Sequence, residues 1–261
     1  VVQEEKWAEA AKNQNTKEVL LSSPRGKIYD RYGRVLAGNK QIFTVTFNAS
    51  GLSTEQINAS AYRTIRLLEK NGDTYVDNFP IKITKSGKFY YTYDSSKKKW
   101  LKSLGLSKNA TAEQAFEKLR AKYEIDPTLD RFDAMDELQN THGVWPPINV
   151  RSMTFTYDTK KAAFISKYGL EVKETDAEGN VTKRTDLTAK EAFQALRKKY
   201  KLDEDENKQP IPEEERLSDK EARKIFVVRE EIKNIEFNKY RSSTIASDVC
   251  DKTVAYIEEM G

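Results

Sequence analysis

The sequence predicts an α+β fold in which short antiparallel strands frame a set of amphipathic helices. Two observations carry this. Apolar residues alternate with polar ones in short runs bounded by turn residues, around Ile28, over Phe43-Val45-Phe47, over 80–93 and over 170–185. Between these runs, four Ser/Thr-x-x-Glu/Gln boxes open segments whose apolar residues fall at helical spacing. With 261 residues, of which 38% are hydrophobic and 10% aromatic, the chain can bury a real core as one large domain or about two smaller ones.

The elements follow in order. Residues 4–15 read as a helix with Trp7, Ala8 and Ala11 on one side. In Ser23–Ala37, Pro24 biases Ser23 toward extended geometry, and Gly26 and Gly33 permit backbone angles that a Cβ opposes. Ile28 sits among polar neighbours as on a half-buried strand. Asp30-Arg31-Tyr32-Gly33 then has Asp and Gly where a turn wants them, and Val35-Leu36-Ala37 resumes an apolar run. Ser53 and Gln56 box the start of a helix that carries Ile57, Ala61, Ile65 and Leu68 on one stripe and stops at Asn71-Gly72. Lys85-Ser86-Gly87 turns one hairpin, and Trp100–Gly105 reads as a short helix. Residues 111–126 and 188–203 echo each other: each is boxed (Thr111 to Gln114, Thr188 to Glu191) and each repeats Ala-Phe-x-x-Leu-Arg-x-Lys-Tyr. Two copies do not make a solenoid. A charged hairpin spans 170–185, Trp145-Pro146-Pro147 is a stiff connector, and Ser218 to Glu221 opens another helix. From Ile232 the spacing of Ile232, Ile235 and Phe237 suggests a strand leading to Tyr240, and 245–259 reads as strand, cap and helix.

Forty-five basic and 41 acidic residues leave a net charge of only +4, so no face is set apart for nucleic acid. Cys250 has no partner for an internal disulfide and reads as a small core residue. No run approaches the ~20 apolar residues of a membrane-spanning helix. The chain starts at Val1 rather than Met, and we expect it to be a piece of a longer protein.

The spelling Pro24-Arg25-Gly26-x-Ile28-x-Asp30-Arg31-x-Gly33-x-x-Leu36-Ala37 closely resembles the signature that opens the non-catalytic pedestal, or dimerisation region, of class B penicillin-binding proteins. Gly38-Asn39 leans toward the elongation-type branch, and Tyr32 stands where the family often has Asn. Trp7–Asn15 is similar to the juxtamembrane helix before that motif. The echoed helices resemble those of the family's head subdomain, and 245–259 resembles the segment that returns to the Arg-Gly strand. The resemblance implies an elongated, strand-rich stalk with an inserted helical and hairpin head. It divides the chain into a juxtamembrane helix at 1–22, pedestal segments at 23–50 and 231–261, and a head at 51–230. Arg25, Gly26, Asp30, Arg31, Gly33 and Glu259 would form its structural motif, with the charged members in an ion-pair network that holds the stalk. The implied partners are a scaffold protein of the MreC type, a SEDS-type glycosyltransferase and the chain's own transpeptidase domain, with a homodimer left open. The implied place is the extracytoplasmic face of a bacterial plasma membrane, tethered by an upstream helix.

Catalytic groups are hard to assemble. The acyl-transfer strings of the family, Ser-x-x-Lys, Ser-x-Asn and Lys-Ser/Thr-Gly, all occur, as Ser95–Lys98, Ser107–Asn109 and Lys85–Gly87. They stand in reversed order and close together, with Ser95 read as part of a Lys-rich loop, and we assign no catalytic residue. The single His142 excludes His clusters, and no cofactor is expected. Asp203, Asp205, Asn207, Gln209 and Glu214 match the ligand spacing of a calcium loop, but Lys208 occupies the place where the sharp turn wants Gly. The preferred reading is a solvated acidic loop. The alternative to the pedestal is a free-standing extracellular binding module, calcium-dependent if that loop is filled.

Overall fold

The structure, a computed structural model, describes residues 26–39, 42–175, 181–204, 209–236 and 242–260. The chain divides into two compact units, one through Ile42 and one from Phe43 onward. In the first, β1 (Ile28–Tyr29) pairs antiparallel with β2 (Val35–Ala37). The expected strand, turn and strand are all present. The expected half-burial is not, for Ile28 is 61% exposed. A two-residue strand has only one neighbour to cover it, so alternation there marks the pleat and not a core.

The second unit is the α+β fold read from the sequence. Strand β3 (Thr44–Phe47) and helix α1 (Thr54–Asn71) lead into the hairpin β4 (Ile81–Ile83) and β5 (Phe89–Tyr91). Helices α2 (Thr92–Ser103), α3 (Ala112–Lys122) and α4 (Arg131–Asp136) follow, α4 running on into a π turn at Glu137–Thr141. The short pair β6 (Ile148–Asn149) and β7 (Thr154–Phe155) precedes α5 (Thr156–Tyr168), and β8 (Val172–Thr175) pairs with β9 (Val181–Arg184). Then come α6 (Ala189–Lys199), α7 (Asp219–Asn234), β10 (Ser243–Ser247) and α8 (Asp251–Met260). Each predicted box caps its helix: the side chains of Ser53, Thr111, Thr188 and Ser218 accept the N3 amides of α1, α3, α6 and α7. Helix α1 ends on Gly72 at φ +78°, the left-handed cap that a Cβ disfavours.

Among the described residues of this unit, two apolar cores are present. The larger gathers the α1 stripe (Ile57, Ala61, Ile65, Leu68), Phe79, Ile81, Tyr91, Phe164, Phe193, Phe226 and Ile245. Its centre is aromatic: Phe79 meets Phe164 at 5.9 Å, and Phe193 meets Phe226 at 5.0 Å. Each such ring contributes roughly 1.5–3 kcal/mol by leaving water. The smaller core holds Leu101, Phe116, Leu119, Met135, Leu138, Ile148 and Phe155. It is inserted between α2 and α5, which are bound by Lys97 to Asp158 at 2.6 Å, while Trp100 of α2 packs against Phe155 of β7 at 6.0 Å. Phe47 of β3 and Ile245 of β10 lie in the larger core with α1 and α7.

The echoed segments fold alike but serve different cores, with Phe116 in the smaller and Phe193 in the larger. Both continue through a positive-φ residue, Glu124 at 54° and Lys201 at 52°. Both return an amide to the echoed arginine's carbonyl at 3.0 Å, Ile125 to Arg120 and Leu202 to Arg197.

Three sequence readings need correction. Ser95 is not in a loop, because α2 begins at Thr92. Tyr93, Lys97, Trp100 and Leu101 recur at helical spacing there, and a run of lysines is compatible with an exposed helical face. The predicted short helix is its last turn, and Gly105 at φ +71° follows it. Ile232 belongs to α7 and not to a strand. The stripe Ile225, Val228, Ile232 keeps helical period with no Gly or Pro to stop it. Phe237, Tyr240, the tip of the 170–185 hairpin and the helix at 4–15 lie outside the described residues.

Candidate functional site

The hairpin of the first unit is organised by Asp30. Its Oδ1 accepts the amides of Tyr32 and Arg34, both at 2.8 Å, and its Oδ2 accepts Arg34 Nε at 2.8 Å. The Arg34 amide above all, helped by its guanidinium and the Tyr32 amide, outweighs desolvation and holds the Asp30 carboxyl below its ordinary value. Gly33 adopts φ +78° and donates its amide to the Asp30 carbonyl at 3.0 Å, closing the turn. Arg31 donates to the Tyr32 hydroxyl and lies 4.6 Å over that ring. Gly26 is exposed with no atom near its would-be Cβ, and Arg25 lies outside the described residues.

In the second unit, β3 and β10 pair antiparallel, Phe47 opposite Ser243 and Thr44 opposite Ser247, with a bulge between Thr244 and Ala246. Segments from opposite ends of the chain are thereby joined. The join is reinforced beside the strands. Val76 donates its amide to the Ile245 carbonyl at 2.8 Å, and Val249 to the Phe43 carbonyl at 3.2 Å. Just past the α1 cap, Asp73 accepts the Cys250 amide at 2.9 Å and the hydroxyl of the fully buried Thr253, to which Asn71 Nδ2 also donates at 2.8 Å. The Thr253 hydroxyl, then the Cys250 amide and thiol, outweigh desolvation and hold the Asp73 carboxyl below its ordinary value. Cys250 is half-buried just before α8, its Sγ 3.5 Å from Asp73 Oδ2, rather than a core residue. Glu259 is exposed near the end of α8.

Buried charge anchors the surrounding helices. Arg229 of α7 donates through Nη2 to Asn58 Oδ1 at 2.6 Å and to the Thr54 carbonyl at 2.8 Å, and lies 4.3 Å over the Tyr200 ring. Asn58 Nδ2 donates in turn to the Tyr200 carbonyl at 2.9 Å. Burial lowers the Arg229 pKa from the usual arginine range. Arg223 grips Asp77 with Nη2 at 2.7 and 2.9 Å, and Lys82 adds a contact to Asp77 at 2.5 Å. Glu230 accepts the Tyr168 hydroxyl at 2.6 Å and Lys167 Nζ at 2.7 Å. None of these long-range pairs was named from sequence.

The catalytic-looking triplets are not assembled. Lys85-Ser86-Gly87 is a hairpin turn with Gly87 at φ +82°. Ser95 is half-buried in the first turn of α2 and hydrogen-bonds to no lysine among the described residues, so its hydroxyl has no base. Ser107–Asn109 is a turn after α2. His142 packs 5.1 Å from Tyr123 with Nε2 3.9 Å from Glu137. Asp203 spends both carboxylate oxygens on Arg197, at 2.5 and 3.1 Å. Glu214 lies in a 3-10 turn (Glu213–Glu215), Gln209 is described, and Asp205 and Asn207 are not. Among the described residues no three His, Cys, Asp or Glu side chains gather as a metal site.

A family model described as the penicillin-binding protein dimerisation domain matches residues 20–261. The chain belongs to this family. A comparison with curated proteins found no match. The dimerisation domain is the non-catalytic part of penicillin-binding proteins, a transpeptidase family. That membership accounts for a site made of strand pairing, caps and ion pairs rather than a nucleophile with its base.

Proposed function

We propose that this chain is the pedestal of an elongation-type peptidoglycan D,D-transpeptidase. It would hold a serine-type catalytic domain above the plasma membrane and receive partners of the elongation machinery in cell-wall synthesis. The observation that carries the reading is the β3–β10 pairing with its Asp73 anchor. A stalk that sets the height of another domain needs its incoming and outgoing strands bound to each other, and these are. In this reading the chain works on the extracytoplasmic face, tethered by an upstream helix. It engages an MreC-type scaffold and a SEDS-type glycosyltransferase.

The test has two arms. The 261-residue chain should take no covalent label from fluorescent penicillin, and it should bind a purified MreC-type ectodomain. In a protein where the chain is joined to a transpeptidase domain, four glycines inserted between β10 and α8 should abolish cell-wall cross-linking yet leave penicillin labelling intact. Labelling of the isolated chain, or full cross-linking after the insertion, overturns the reading.

A further inference from the structure

Beside the α1–α8 contact lies an open cleft of about 310 Å³. Its walls are Tyr62 and Leu67 of α1 and Tyr256 of α8, the last 48% exposed. Its rim carries Arg63, Arg66 and Lys70. These three fall at i, i+3 and i+7 on α1, so their Cα atoms advance along one helix face by about 10 Å. None of them has a carboxylate partner among the described residues. Two acids of α1 and α7 are committed elsewhere. Glu69 takes Lys224 at 2.6 Å, and Glu221 accepts the Tyr62 hydroxyl at 2.8 Å while boxing α7. That bond also fixes Tyr62, over which Arg66 lies at 5.5 Å. Three positive side chains thus border a preformed aromatic cleft.

We propose that this cleft docks an acidic amphipathic helix of a partner protein. Carboxylates spaced i, i+3 or i+4, and i+7 would face Arg63, Arg66 and Lys70, with one large apolar side chain entering between Tyr62 and Tyr256. Arginine beside an aromatic wall is the composition that carries binding energy at protein interfaces. A bilayer surface could meet the cations but could not fill the concavity. The proposal deepens the pedestal reading by giving the chemistry of one partner and relies on it only for there being a partner, since binding is tested on the chain alone.

The experiment displays a library of randomised helical peptides on yeast and selects with the 261-residue chain. Enriched sequences should carry Asp or Glu at the stated spacing around an aromatic or aliphatic residue. The Arg63→Glu/Arg66→Glu/Lys70→Glu variant should weaken the selected peptides at least tenfold. Tyr256→Ala, which leaves every charge in place, should weaken them by roughly fivefold to tenfold. Absence of acidic patterning, or binders indifferent to both variants, overturns the proposal. Binding only to phosphatidylglycerol vesicles assigns the cleft to membrane instead. Self-association of the chain that the charge reversal abolishes assigns it to a second copy. Either result also overturns the proposal and leaves the penicillin-labelling arm untouched.

Discussion

Asp73, just past the end of α1, accepts the amide of Cys250, the residue before α8, at 2.9 Å, so one carboxylate ties the end of one helix to the approach of another far away in sequence. Replacing it with Ala should free that amide and the buried Thr253 hydroxyl. We expect a loss of about 1–3 kcal/mol, the cost of leaving buried hydrogen-bonding groups unsatisfied, read as a lower urea midpoint. Asp73→Asn should retain part of it. An unchanged midpoint for Asp73→Ala would show that this contact contributes nothing.

Acid should act through Asp77. Burial raises its pKa, but Arg223 and Lys82 outweigh burial and leave it below the ordinary carboxylate value. A depressed carboxylate contributes stability that is complete above the unfolded value of ~3.9 and is lost as pH falls through the folded one. The wild-type chain should therefore lose stability more steeply below pH ~4 than Asp77→Asn does, as measured by urea unfolding at stepped pH. Parallel curves would remove Asp77 from the acid response.

Arg229 should be costly to truncate. Arg229→Ala leaves Asn58 Oδ1 and the Thr54 carbonyl without their donor in the core, a loss of roughly 2–4 kcal/mol. Arg229→Lys keeps the charge but not the planar fork, and should recover less than half. Calorimetric melting of the two variants distinguishes charge from geometry.

The hairpin should behave in the opposite way. Asp30 and Arg34 form an exposed pair on a two-stranded ribbon, so Arg34→Ala should leave the global melting temperature unchanged. It should still shift the amide resonances of Tyr32 and Arg34, because Asp30 then loses one of its donors. A fall of several degrees in melting temperature would mean that the hairpin is part of the cooperative unit.

What could be read in the sequence was what is decided locally. Ser53, Thr111, Thr188 and Ser218 cap their helices through residues three positions away, and Gly72, Gly87 and Gly105 mark turns through their own backbone. The hairpin motif at Asp30 was legible for the same reason. The two-residue strands β6 and β7 and the π turn after α4 have no comparable signature, since tertiary packing selects them. The anchors Arg223–Asp77, Arg229–Asn58 and Asp73–Cys250 join positions far apart, and in a chain this rich in charge no local feature marks which ones meet. Arg197 is the exception. The echo placed it opposite Arg120, and both turn back on the segment after their helix, Arg120 onto the carbonyls of Asp126 and Leu129 and Arg197 onto Asp203.

The pairing of β3 with β10 also sets an order of events. Phe47 leaves the ribosome long before Ser243–Ser247, and its strand stays half of a sheet until they follow. Closing so long a loop is entropically slow, and an unpaired edge invites foreign strands while it waits. The four boxed helices can form meanwhile, each from its own sequence. The domain would thus assemble from the inside outward, and its ends would be sealed last.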